Sequence, residues 1–67
     1  MNIAEQKIAE KATGMLIEIM ELTLTDQRPE VPQVREWVMN ELERRDEVAF
    51  EAWLDSDEGS PRKFYLN

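Results

Sequence analysis

Apolar residues between Ile3 and Leu24 recur at helical spacing, and they do so along two lines. Ile8, Ala12, Met15, Ile19 and Leu22 step alternately by four and three positions, a narrow seam of the coiled-coil kind. Ile17, Met20 and Leu24 form a second stripe beside it, and Glu10, Glu18 and Glu21 take the remaining polar side. The pattern predicts one long helix over about residues 3–24, with Asn2 a candidate N-cap. A surface helix needs only one apolar stripe of about 100°, so two stripes imply two packing partners. One is expected against the next helix. The other packs either beneath the C-terminal segment or, as a dimer seam of Ile17, Met20 and Leu24, against a second copy of the chain. Gly14 sits inside this helix at a cost of roughly 1 kcal/mol against alanine, which would suit a close backbone approach or a kink.

The next helical stretch holds both tryptophans. Val34, Trp37, Val38, Leu42, Val48, Ala49 and Ala52 share one broad arc, and Pro32 suits a first turn, where its missing N–H would have had no partner. Arg45 falls in the middle of the arc, while Phe50 and Leu54 fall opposite it. A break near Arg45-Asp46, with Asp46 capping a second helix, would bring Phe50 and Leu54 back toward the core. Helices over about residues 32–45 and 46–55 are therefore expected; a continuous helix with Arg45 snorkelling stays open. Between the first two helices, Thr25 to Val31 reads as a loop, short enough to fold them antiparallel.

Beyond Leu54, the segment Asp55-Ser56-Asp57-Glu58-Gly59-Ser60-Pro61 forms turns, and the chain ends in the basic, aromatic run Arg62-Lys63-Phe64-Tyr65-Leu66-Asn67. An extended tail over about residues 56–67 is expected, with Phe64 and Leu66 covering the helices. A short linear docking segment is the other reading. The fold class is all-α: a single small helical bundle with a long N-terminal helix, an antiparallel second helix, a short third helix and a tail.

At 67 residues and 42% hydrophobic, the chain can build a core, but a small one. Cysteine and histidine are both absent, which removes disulfides and argues against zinc or copper. Self-association or a protein partner remains as the means of adding stability. The net charge of −7 disfavours direct binding to nucleic acid. With no signal-like segment and no apolar run near 18 residues, no membrane association is expected and a cytoplasmic location is.

The charge is unevenly placed. Asp46, Glu47, Glu51, Asp55, Asp57 and Glu58 follow one another with no basic residue between Asp46 and Pro61. A solvated face is the commonest use of such a run. Its functional use would be docking against a basic protein surface, with Trp53 in its midst as the better interface tryptophan and Trp37 expected in the core. No catalytic or cofactor site is expected, because the carboxylates lie on exposed faces without histidine, cysteine nucleophile or phosphate loop. Asp55-x-Asp57-Glu58-Gly59 is not a calcium loop, since its glycine stands at the fifth position and Leu66 at the twelfth.

Pro29-Glu30 followed by Arg35-x-Trp37-Val38-x-x-x-Leu42 resembles part of the small helical theta subunit of bacterial DNA polymerase III, over under a quarter of the chain and across a two-residue gap. The acidic helix and the basic, aromatic ending have no counterpart there. The expected function is that of a non-enzymatic protein-binding module, a small acidic regulator or inhibitor of bacterial, phage or plasmid type. The competing expectation is a structural or accessory subunit that homodimerises or stabilises a larger complex, for example a nucleic-acid-processing enzyme.

Overall fold

The computed structural model describes residues 3–66 and is all-α, so the Asn2 cap lies outside the described residues. Its helices are α1 (Ile3–Glu10), α2 (Thr13–Thr23), α3 (Val31–Arg45), α4 (Glu47–Asp55) and α5 (Arg62–Tyr65). Arg35 near the start of α3 donates to Thr23 at the end of α2 (2.6 Å), and Arg45 at the end of α3 donates to Thr13 at the start of α2 (3.0 Å). Those two ties make α2 and α3 run in opposite senses.

The long N-terminal helix is corrected to two. Ala12 is extended (φ −65°, ψ 151°), and the joint at Lys11-Ala12 separates α1 from α2. No glycine or proline marks it. The reason lies in rotation: on an unbroken helix Ile8 would stand roughly 120° from the direction shared by Leu16, Ile17 and Met20. The joint turns Ile8 into the same core, where it is buried with those three residues and with Val38, Leu42, Phe50 and Trp53.

Of the two uses open to the stripe of Ile17, Met20 and Leu24, packing inside the chain is the one found. Ile17 and Met20 are fully buried inside the chain and cannot form a dimer seam; Leu24, the third member, is half exposed beside Gly59. The coiled-coil-like line is split: Ile8 is in the core and Ile19 is partly buried, whereas Met15 and Leu22 on α2 are exposed.

The helix breaks at Asp46, whose side chain accepts a hydrogen bond from the Ala49 N–H (3.0 Å) and caps α4. The change of direction buries Phe50, although Leu54 stays outside. Val31, placed in the loop by its position before proline, is instead the first residue of α3 and is buried, with Pro32 beside it in the opening turn. The expected extended tail contains α5. Pro61 is fully buried, Phe64 packs against the core, and Arg62 forks onto Glu21 (2.7 Å to each oxygen), tying α5 to α2.

Candidate protein-binding face

Six carboxylates of the acidic run separate into those that hold the fold and those that do not. Asp46 caps α4, and its carbonyl accepts from the Phe50 N–H and the Tyr65 hydroxyl. Glu58 pairs with Lys63 (3.0 Å), and its carbonyl accepts from the Trp53 indole N–H (3.0 Å). These two residues are structural.

Trp53 is buried at 6% exposure and belongs to the core, crossing the Phe50 ring edge-on at 5.8 Å between centroids. Trp37 is partly buried and packs against the same core from its edge. Trp53 is therefore the more deeply buried of the two, the reverse of the expected order. The indole found a carbonyl in the turn after its own helix, a contact no spacing rule signals.

Glu47, Glu51 and Asp55 remain on α4, and all are exposed. They stand at i, i+4 and i+8, one line down the helix. Among the described residues none of the three has an ion pair, and neither does Asp57 in the turn beyond. Five of the eight cations pair elsewhere: Arg28 with Asp26, Arg44 and Arg45 with Glu41, Arg62 with Glu21, and Lys63 with Glu58. Like charges one turn apart repel by a few tenths of a kcal/mol. Asp55 also lies in the last turn, at the negative end of the helix dipole, where a cation would be favoured. Glu47, in the first turn, is favoured by the same dipole, so the mutual repulsion and Asp55 are the unfavourable part of the line. Val48, 78% exposed, borders it on one side and Leu54, 56% exposed, on the other.

Two grooves flank the outer ridge of α3. One, of about 490 Å³, lies between α3 and α4 and is lined by Pro32, Arg35, Glu36, Met39, Asn40 and Phe50. The other, of about 240 Å³, lies between α1 and α3 and is walled by Trp37, Ile8 and Ala9 with the polar groups of Glu5, Asn40, Glu41 and Arg44. Reading the sequence alone missed both. The available signal was Pro32 and Met39, seven positions apart and off the main apolar arc.

Glu41 is the buried carboxylate, and hydrogen bonds from Arg44 and then Arg45 hold its carboxyl below the usual range, fully ionised and acceptor-only at neutral pH. No cluster of three metal-ligating side chains occurs among the described residues. No described helix is long and apolar enough to cross a membrane. No family model matches the chain, and neither a curated protein nor a solved structure does.

Proposed function

We propose that this chain is a non-enzymatic protein-binding module, a small acidic cytoplasmic regulator or inhibitor that docks a basic protein surface through the outer face of α4. One observation carries the reading. Glu47, Glu51 and Asp55 form a line of mutually repelling carboxylates without an internal cation, between exposed Val48 and Leu54. Such a line weakens the isolated helix, and a basic partner surface offsets that cost on contact. The apolar borders supply desolvated contact area around the charges.

The test compares the wild-type chain with the triple variant Glu47→Lys, Glu51→Lys, Asp55→Lys as bait in extract of the native host, followed by titration of the identified protein against both. The wild type is expected to bind at least about tenfold more tightly, with affinity falling as salt rises. Equal binding by the triple variant, or no host protein retained by the wild type, rejects the reading.

A self-associating accessory subunit is the second reading, favoured by exposed Met15 and Leu22 on the outer side of α2. It predicts a dimer in sedimentation equilibrium that Leu22→Glu converts to monomer. A concentration-independent monomer rejects it.

A further inference from the structure

The groove between α3 and α4 lies immediately beside the acidic line, and we infer that it receives the apolar face of a basic amphipathic helix from the partner. This rests on the reading of α4 as the docking face and adds where the partner's side chains go. The floor is Pro32, Met39 and Phe50; Glu36 and Asn40 stand on the α3 side. Pro32 and Asn40 are eight positions apart on α3, about 12 Å of helical rise. That length accommodates two turns of a docked helix, whose apolar residues at i, i+4 and i+7 would enter a space of about 490 Å³.

Charge selects the occupant. On α4, Glu47 lies one turn before Phe50 and Leu54 one turn after it, so both border the floor at the spacing that makes helix neighbours. Glu51 follows one turn after Glu47, farther round α4 from Phe50 and exposed to solvent. Glu36 stands on the opposite wall. The cation in the lining is Arg35; its Nη1 donates to the Thr23 hydroxyl at 2.6 Å, which holds the guanidinium toward the end of α2 and leaves its charge in place. The groove therefore has an apolar floor with Glu36 on one wall and Glu47 beyond Phe50 on the other, two carboxylates against one guanidinium, and suits a helix that is apolar on one side and carries lysines or arginines along its flanks.

Other occupants fit less well. A second copy of this chain brings its own charge of −7 against the same edges. The chain's own C-terminal segment is engaged elsewhere, through Arg62 on Glu21 and the Tyr65 hydroxyl on the Leu42 carbonyl.

The experiment titrates the full chain, methyl-labelled at methionine, with three synthetic 18-residue peptides. One is a Leu/Lys helix with leucines at i, i+4 and i+7; one is a scrambled peptide of the same composition; one is the same helix with glutamate in place of lysine. The amphipathic basic helix is expected to bind and to move the Met39 methyl resonance. The scrambled and acidic peptides are expected to bind at least about tenfold more weakly. Met39→Asp and the pair Glu47→Lys, Glu51→Lys are each expected to weaken binding several-fold. The methyl shift reads the wild-type chain, so the result does not depend on a variant that misfolds.

If the α4 reversals abolish binding while the Met39 methyl stays unmoved and the scrambled peptide binds equally, the groove inference is overturned and the acidic-face reading survives. Binding that moves Met39 but ignores the α4 charges overturns the basic occupant. If no basic peptide binds, the groove inference falls, and the host-extract comparison then decides the acidic face independently.

Discussion

Nε of Arg45 lies 2.6 Å from Oε2 of the buried Glu41, and this pair closes the joint between α1 and α2. With its orientation set by that carboxylate, the guanidinium donates through its other nitrogens to the Ala9 carbonyl (3.1 Å), the Lys11 carbonyl (2.7 Å) and the Thr13 hydroxyl (3.0 Å). An arginine in the middle of an apolar arc thus satisfies backbone acceptors that the end of α1 leaves open.

Replacing Arg45 by methionine keeps the stem and removes the fork. The joint carbonyls lose their donor, and Glu41 keeps only Arg44 within the buried site. The expected loss is about 2 kcal/mol, read as a lower urea midpoint at unchanged slope. Arg45→Lys recovers less than half of it, because an ammonium cannot span three acceptors in one plane.

Tyr65 gives the chain an alkaline limit. Burial first, with Asp46 and Glu43 nearby, pushes its phenol from 10.0 up to about 12. A phenol whose folded pKa is raised contributes stability that is complete below pH 10 and is lost as pH climbs toward 12. Wild-type stability is expected to fall across that window, whereas Tyr65→Phe stays flat. At neutral pH the same variant costs only about 0.5–1 kcal/mol, since the Leu42 and Asp46 carbonyls each keep a backbone donor. Phenolate absorbance titrated with circular dichroism checks both statements.

Glu21 sets the acid side. Hydrogen bonds from Arg62 and then Ser60 lower its carboxyl from 4.5 to about 2. A depressed carboxylate contributes stability that is present above pH 4.5 and vanishes as pH falls to about 2. Glu21→Gln is expected to differ from wild type above pH 5 and to converge with it at pH 2. The group is exposed, so added salt should shrink the difference. Thermal melts at several pH values provide the measurement.

The two tryptophans should separate in quenching experiments. With Trp37 partly buried and Trp53 buried, the fluorophore left by Trp53→Phe is expected to be quenched by iodide more strongly than the one left by Trp37→Phe. Trp53→Ala is expected to cost about 3–5 kcal/mol, enough to unfold most of a domain this small.

Gly14 is not required for close packing. A Cβ built there meets only the Leu66 side chain at 4.0 Å, an ordinary contact, and the joint lies elsewhere. Gly14→Ala should therefore stabilise the chain by about 0.5 kcal/mol, visible as a small rise in the urea midpoint.

By itself the sequence determined that the chain is helical, that Pro32 stands in the opening turn of a helix and that another starts after Asp46. Each is a local matter: a spacing of three to four, a ring that lacks an N–H, a carboxylate within reach of a free amide. The line of carboxylates on α4 was legible for the same reason, since neighbours one turn apart can be counted. Tertiary structure decided the rest. Two apolar stripes compete for one interior, and nothing within either says that Ile17 and Met20 go inward while Met15 and Leu22 stay out. That choice and the joint at Lys11-Ala12 depend on partners far along the chain, and the deeper burial of Trp53 depends on a turn five residues on that no spacing rule reads. The Arg45 guanidinium stabilises the open carbonyls at the joint, and the Glu58 carbonyl holds the Trp53 indole. Burial and polar satisfaction are settled between distant residues, and they outweigh a local preference worth less than 1 kcal/mol per residue.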